Sequence, residues 1–329
     1  MLLALVAVTV LAAFPDSESG RDEAPFLRDA ALKRTLAAAG GFPALDPFAG
    51  LAVGSFDRDT PGRYGVVIAP LAGGRPVAFG GLRSGQAWSA IKVPLAAAYL
   101  DWRRRIARAR HGSSVLRPGE RARLRVLLTR SDNDAARALF RSMSAVEGQR
   151  GARLLMERML RRAGDRRTRV ASPFGTTHWR LDDAALFFAA LGRGCLLTGV
   201  DTDTLLGLMR SVIPEQRWGI PAAAGSVPVA FKGGWGQDSR DRWLVEQFAI
   251  VGGGDSARVV GLMTQLDEGG TTLAAFARAT AAADRVARLV KTELRAAGSD
   301  RGAALPERCG RPGARGEARR LAPLARLRG

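Results

Sequence analysis

Three short motifs contain the residues that could do chemistry. They are Ser89 with Lys92 three positions later, a Ser-Asp-Asn tripeptide at 131–133, and Lys-Gly-Gly at 232–234. Lysine is rare here, because only four of the 50 basic residues are lysines, and two of those four stand in these motifs. Arginine stays protonated in proteins, whereas a desolvated lysine can lose its proton and act as a base. The motifs therefore predict a serine nucleophile with a lysine base.

The spacing of Ser89 and Lys92 suits nucleophilic catalysis from one helix. Residues three apart on a helix share a face, so the Lys92 amine can reach the Ser89 hydroxyl that it must deprotonate. Free backbone N–H groups near the start of that helix would stabilise negative charge on a substrate oxygen. The alternative is a helix that merely begins with serine and carries a lysine whose amine extends to solvent.

The other two motifs also have a purely structural alternative. Ser131 and its two neighbours precede a helical segment that begins at Ala135, so the tripeptide could be an N-cap whose side chains bond backbone amides. Lys232 ends a predicted strand, and Gly234 would let a substrate approach the backbone. The alternative for this third motif is a plain exit from strand to turn.

Taken in order, the motifs resemble the Ser-x-x-Lys, Ser-Asp-Asn and Lys-Thr/Ser-Gly elements of class A β-lactamases and related penicillin-binding proteins. The resemblance covers about residues 42–297. It implies a serine hydrolase that works through an acyl-enzyme, without a cofactor or a metal. The implied substrate is a small molecule or peptide, such as a β-lactam or a cell-wall stem peptide. The implied fold is α/β (α+β) and β-lactamase/DD-peptidase-like, an antiparallel sheet flanked by helices plus an all-helical lobe.

The resemblance also implies a role for each matching residue. The catalytic residues would be Ser89, Lys92 and Ser131, and the substrate-binding residues would be Asn133, Lys232, Gly234 and Trp235. Ser89 would be acylated, Lys92 would be its base or base partner, and Ser131 would relay a proton to the leaving group. Asn133 would hold the amide side chain of the substrate, and Lys232 would anchor its carboxylate while supporting Ser131. The backbone N–H groups of Ser89 and Trp235 would form the oxyanion hole.

Two departures from the family pattern bear on turnover. Gly233 stands where the family has a hydroxyl residue, so one donor to a substrate carboxylate is missing. Class A enzymes carry a Glu-x-x-Leu-Asn segment that activates the deacylating water, whereas residues 161–170 here contain one carboxylate, Asp165, among several arginines. Asp165 is either a relocated base or a surface acid paired with arginine.

Three functions remain open at this stage. The leading one is a serine hydrolase that forms an acyl-enzyme on Ser89 and turns β-lactams over weakly or not at all. The second is an active class A-type β-lactamase with a non-standard deacylating base. The third is a non-catalytic, exported, cationic module that binds an anionic cell-wall polymer.

The elements that must position these motifs are strands at both ends of the domain and helices between them. A hairpin is predicted from residues 64–68 and 76–79, and further strands at 227–231, 243–251 and 258–265. Helices are predicted at 27–40, 88–110, 120–130, 133–143, 151–162, 179–191, 201–210 and 271–297. Pro94 should bend the helix at 88–110. The active site is expected in the cleft between the lobes.

The chain ends suggest export. Residues 1–24 form a signal-like apolar segment and linker, 25–297 the hydrolase domain with a helical lobe at about 100–225, and 298–329 a basic tail with the composition of disorder. The apolar run at 1–14 fits a signal-peptide hydrophobic region but lacks basic residues before it. Three alternatives are a true start farther upstream, an unprocessed anchor, and a buried helix. The expected location is periplasmic, cell-wall or extracellular.

Composition disfavours several other classes of protein. The net charge of +19 comes from arginines spread over the whole length without interleaved aromatics, so no specific nucleic-acid site is expected. We expect a monomer with no membrane-spanning domain. Cys195 and Cys309 are too few for a disulfide framework, and we expect them to be unpaired because of the composition of the tail around Cys309; a single bridge is the alternative. His111 and His178 are expected at the surface or at helix caps, which leaves little material for a Ser-His-Asp triad.

Overall fold

The computed structural model describes residues 62–73, 76–109 and 116–298. The sequence-based expectations for the apolar run, the linker, the helix at 27–40 and the basic tail lie outside the described residues. So do His111 and Cys309.

A five-stranded antiparallel sheet forms the centre of the described chain. Its strands are β1 (Gly62–Pro70), β2 (Val77–Gly80), β5 (Val229–Gln237), β6 (Arg242–Val251) and β7 (Arg258–Gly269), in the order β2-β1-β7-β6-β5. The predicted hairpin and the three later strands are thereby confirmed. A second, two-stranded sheet pairs β3 (Ser84–Gln86) with β4 (His178–Arg180). Sequence reasoning missed this sheet because strands of three residues are too short to show alternation. His178 is exposed on β4 rather than capping a helix.

Eight α-helices lie in the described residues. They are α1 (Lys92–Ala109), α2 (Pro118–Thr129), α3 (Asn133–Arg162), α4 (Leu181–Gly192), α5 (Gly199–Arg210), α6 (Ile220–Ala224), α7 (Leu273–Leu289) and α8 (Lys291–Ala296). The helices predicted at 133–143 and 151–162 are the two halves of α3, which meet at Gly148 with a φ of 70°. None of the helices in these ranges combines the length and apolarity needed to cross a bilayer.

The start of α1 differs from the prediction. Trp88–Ile91 forms a 3-10 turn, and the α-helix begins only at Lys92. Pro94 therefore lies in the first helical turn, where backbone N–H groups have no intrahelical acceptor, and it causes no interior bend. Ser89 lies on the 3-10 turn. In that geometry residues three apart eclipse one another, so Ser89 and Lys92 still share a side.

Both faces of the five-stranded sheet are covered by helices. Val67 and Phe248 belong to a hydrophobic core shared with helices α1–α5. Their strand neighbours Val66 and Ala249 belong to a second core, shared with α6–α8. Because side chains alternate along a strand, the even-numbered positions of β5 and β6 face the first core. A polar residue at such a position is buried beneath the helical lobe.

Cys195 corrects one expectation. It is disulfide-bonded rather than unpaired, and no cysteine among the described residues is a free thiol. The expectation had relied on the composition of the tail around Cys309. Composition does not report whether two sulfur atoms come within bonding distance, which is what decides pairing.

Candidate active site

The Ser131 hydroxyl lies between two buried lysines. The Lys232 ammonium nitrogen Nζ donates to Ser131 Oγ at 2.9 Å and to the Gly233 carbonyl at 2.7 Å. Lys92 Nζ donates to Ser131 Oγ at 3.3 Å, to the Ser131 carbonyl at 2.5 Å and to Asn133 Oδ1 at 2.7 Å. The structure thus brings together Lys92, Ser131, Asn133 and Lys232, which come from three separate motifs.

In the tripeptide at 131–133, one residue caps a helix and another contacts the two lysines. Asp132 is the N-cap of α3 and accepts a hydrogen bond from Ala135 N at 2.6 Å. Ser131 instead has a φ of 59°, a left-handed conformation that is uncommon for serine. The N-cap alternative therefore describes Asp132. It leaves the Ser131 hydroxyl to the two lysines.

The turn that carries Ser89 is held against strand β5. Ala87 N donates to Thr177 O at 2.8 Å, and Ala90 N donates to Ala87 O at 2.8 Å. A side chain on Gly234 would place its Cβ 2.9 Å from Ala87 O and 3.0 Å from Ala90 N. Only glycine lets β5 approach this closely, so Gly234 positions the turn as well as leaving the backbone open.

Ser89 is half-buried on this turn, and its carbonyl accepts a hydrogen bond from the Lys92 backbone N–H. The Lys92 amine itself, in the described residues, donates to Ser131 and Asn133. Hydrogen bonds of a catalytic base are often long or absent before substrate binds. To act as the base for Ser89, Lys92 would have to exchange an acceptor on Ser131 or Asn133 for the Ser89 hydroxyl.

Burial has a strong effect on both lysines. It lowers the pKa of Lys92 to about 7, against the opposing effect of the Asp132 carboxylate. Burial also lowers the pKa of Lys232 well below its usual value, and the neighbouring charge of Lys92 lowers it further. Two ammonium groups beside one hydroxyl repel each other, so the lysines titrate as a coupled pair. One neutral amine at neutral pH is what a general base requires.

Aromatic rings surround the position where the family has a hydroxyl residue. A Cβ on Gly233 would lie 3.6 Å from the ring of Trp218 and 3.6 Å from that of Trp235. The two rings meet edge to face at a centroid distance of 6.0 Å. Sequence reasoning missed Trp218 because a loop tryptophan carries no spacing signal. Both rings pack against the second core, so a side chain at position 233 would meet apolar surface.

Asp165 is a buried anchor of the loop between α3 and β4. It is 0% exposed and accepts hydrogen bonds from Arg167 N at 3.1 Å, Thr168 N at 3.0 Å and Trp179 Nε1 at 3.1 Å. The alternative of a surface acid paired with arginine is therefore wrong. The same contacts take three of the roughly four acceptor positions of the carboxylate, and its burial keeps it from solvent.

We expect Asp165→Asn to destabilise the protein without changing the release of an acyl group. An amide has one acceptor oxygen where the carboxylate has two, so a buried donor loses its partner. Such a loss costs about 1–3 kcal/mol. Urea denaturation measures the free energy of unfolding, and Asp134→Asn on the exposed first turn of α3 is the matched control. Loss of acyl release in a stably folded Asp165→Asn protein would contradict this structural role.

Glu246 is a buried acid that sequence reasoning did not identify. It lies in the middle of β6, paired with Gly234 and Met263, and is 0% exposed. Neither carboxyl oxygen has a hydrogen-bond partner in the described residues. The signal in the sequence is a polar pair, Glu246 and Gln247, between the apolar segments 243–245 and 248–251 of β6.

Comparison with solved structures identifies the fold. A class A β-lactamase from Mycobacterium abscessus aligns with a TM-score of 0.54 and 19% identity, over 71% of this chain and 96% of that one. L2 complexed with relebactam aligns with a TM-score of 0.57 and 19% identity, over 75% and 96%. PBP-A aligns with a TM-score of 0.55 and 17% identity, over 82% and 97%.

No protein-family model matches the chain, and no curated protein matches its sequence. The structural likeness nevertheless confirms the expected fold class. The chain has the fold of class A β-lactamases and of PBP-A.

Proposed function

We propose that this protein is a serine hydrolase that acylates Ser89 and releases the acyl group slowly. One observation carries the proposal: the Ser131 hydroxyl contacts both Lys92 and Lys232. The turn that carries Ser89 lies against Gly234, the last residue of the Lys-Gly-Gly motif. These contacts support a site in which a serine nucleophile lies near a lysine of lowered pKa and a hydroxyl that can relay a proton.

The acylation step follows from these groups. Lys92 takes the proton of the Ser89 hydroxyl as its oxygen attacks the substrate carbonyl carbon. The C–O bond forms, and charge on the carbonyl oxygen is stabilised by backbone N–H groups at Ser89 and Trp235. Collapse breaks the bond to the leaving group, which receives a proton through Ser131. Lys92 supplies that proton, so protons balance over the step.

Slow release follows from the loop that contains Asp165. Deacylation requires a base that deprotonates a water molecule beside the ester, and a positioned base contributes about 10²–10⁴-fold. The loop at 163–177 has one carboxylate, which is fully buried and accepts hydrogen bonds from Arg167, Thr168 and Trp179. We infer that deacylation is much slower than acylation, so the acyl-enzyme accumulates.

The substrate class is proposed from the fold and from the site. One protein of this fold, a mutant of PBP-A, is described as an acyl-enzyme complex with penicillin G. A β-lactam, a cell-wall stem peptide or an ester of similar shape is therefore proposed for this chain. The apolar run at 1–14 supports export, so the proposed location is outside the cytoplasm, where such substrates occur.

Covalent labelling tests the proposal directly. Fluorescent penicillin and a fluorophosphonate should both label the wild-type protein, and neither should label Ser89→Ala. Absence of any label would favour the non-catalytic, polymer-binding alternative, for which the net charge of +19 is the supporting observation. Labelling followed by rapid release would favour a β-lactamase with a relocated base.

We expect Lys232→Ala to reduce acylation by neutral esters and to reduce acylation by carboxylated substrates further. Lys232 Nζ bonds Ser131 Oγ, so its loss removes a charge-assisted hydrogen bond that serves both substrates. Such a bond is equivalent to roughly tenfold or more in rate. The carboxylated substrate also loses its counter-charge.

Comparing kcat/KM for matched ester and carboxylate substrates separates the two effects of Lys232. The control is Lys291→Ala, at an exposed lysine that begins α8. Equal losses on both substrates would show that Lys232 acts through Ser131 alone and does not anchor the carboxylate.

A further inference from the structure

Glu246 lies directly beneath the candidate site on the face that carries Lys232. Lys232 pairs with Phe248, and Glu246 is two positions along the same strand, so the two residues are diagonal neighbours on one face. Diagonal positions of an antiparallel pair are about 7–8 Å apart, within reach of long side chains. A Cβ on Gly234 would lie 2.9 Å from Glu246 Oε1 and 3.0 Å from Ala90 N. The carboxyl group therefore lies beneath Gly234, whose other neighbour is the turn that carries Ser89.

A buried carboxyl group without a hydrogen-bond partner is expensive in either protonation state. As an acid it leaves an O–H group unsatisfied, and as an anion it requires a nearby cation. Burial raises the pKa of the Glu246 carboxyl well above its usual value and lowers the pKa of Lys232, and the charge of each residue opposes the shift of the other. The two groups therefore favour each other's charged form against burial. Lys232 in turn has two oxygen acceptors, Ser131 Oγ and Gly233 O, which suits a protonated amine.

Few other charged groups act on Lys232 and Glu246. Lys92 acts on Lys232 from α1, and Asp132 and Arg137 act on Lys92 from α3. On the far side of β6, Glu246 pairs with the uncharged Met263 of β7. Two lysines and one glutamate therefore form a single coupled group under the site. Removing the charge of any member must redistribute protons among the rest.

We propose that Glu246 is a positioning residue for acylation: its carboxylate is the counter-charge that keeps Lys232 cationic, which leaves Lys92 as the neutral amine. Glu246 touches neither substrate nor the reacting atoms. It acts through Lys232, whose positive charge disfavours a second positive charge on Lys92 beside the same hydroxyl. This inference rests on the proposed function for its catalytic meaning, but the charge coupling itself can be measured without substrate.

The scarcity of lysine makes the coupling measurable. The chain has four lysines, so protein labelled with [ε-¹³C]lysine gives one NMR signal for each. Lys92→Arg and Lys232→Arg assign the two signals of interest. In Glu246→Gln the Lys232 titration midpoint should fall and the Lys92 midpoint should rise, each by about one pH unit or more. The same shift is expected in Glu246→Leu, an apolar replacement that suits the buried face if the amide does not fold well.

Glu293→Gln is the matched control. Glu293 is also a buried glutamate, 8% exposed, but it lies on α8 and its charge partner is Arg258. Its replacement should leave both lysine midpoints unchanged. Unchanged midpoints in Glu246→Gln and Glu246→Leu would overturn the inference.

The pH profile of acylation gives the second readout. The rate of labelling by a reactive β-lactam falls at low pH. In Glu246→Gln the midpoint of that fall should lie about one pH unit higher than in the wild type, and the wild-type rate should be recovered at high pH. A loss that is equal at every pH would show a merely structural role and contradict the proposal. Shifted lysine midpoints in a protein that is never labelled would refute the proposed function and the positioning role, while the charge coupling would stand.

Discussion

Replacing Lys92 by alanine is expected to abolish covalent labelling of Ser89 on the time scale of the wild-type reaction. Lys92 is the amine whose pKa burial lowers to about 7, so it is the group that can accept the Ser89 proton at neutral pH. Loss of a positioned base reduces a rate by about 10²–10⁴-fold. Intact-mass spectrometry after exposure to a reactive β-lactam measures the adduct, and Lys291→Ala controls for loss of a lysine elsewhere.

The wild-type rate should also depend on pH in a definite direction. Lys92 acts as a base only when neutral, and the neutral form predominates above a pKa of about 7. Acylation should therefore rise with pH through about 7 and fall about tenfold for each pH unit below it. An adduct that persists in Ser89→Ala, or a rate that does not change between about pH 6 and 8, would refute the assignment of nucleophile and base.

The sequence pointed to residues that the structure brings together, because lysine is scarce in the chain. Lys92 and Lys232 are separated from Ser131 by 39 and 101 positions, yet both contact its hydroxyl. No periodicity could reveal contacts over such distances. Residue type and motif order carried the prediction, while the roles assigned to the residues stay predictions until labelling tests them.

Glu246 and Asp165 could not be assigned in the same way. Both faces of the five-stranded sheet are covered, so strand β6 is buried on both sides and has no polar face against which Glu246 would stand out. Asp165 lies in an arginine-rich loop whose composition is typical of surface, yet its environment depends on Trp179, 14 positions later. Burial at both sites is set by tertiary contacts that local sequence does not encode.

The predicted start of helix α1 was wrong for a related reason. The helix was predicted from Trp88, but α1 begins at Lys92 after a separate turn. That turn is held by the bond from Ala87 N to Thr177 O, a contact between residues 90 positions apart. Such contacts override local propensity. The prediction of Pro94 as a bend failed because its effect depends on where the helix starts.

The second large effect is expected in turnover. With nitrocefin, the wild-type protein should give a burst of product equal to the enzyme concentration, followed by very slow steady release. On the proposed function, Lys92 is the base for acylation. The loop at 163–177 offers deacylation no comparable base, because its single carboxylate is fully buried and already accepts three hydrogen bonds.

Stopped-flow absorbance resolves the burst from the steady phase, and mass spectrometry taken during the steady phase should show Ser89 still acylated. Variants then separate the explanations. In Asp165→Asn the burst and the slow release should both persist, because the Asp165 carboxylate anchors its loop and does not activate water. Rapid steady turnover without a burst would overturn the proposal of slow release. If Asp165→Asn then abolished that turnover in a folded protein, Asp165 would be the relocated base, and an active β-lactamase would become the better description of the chain.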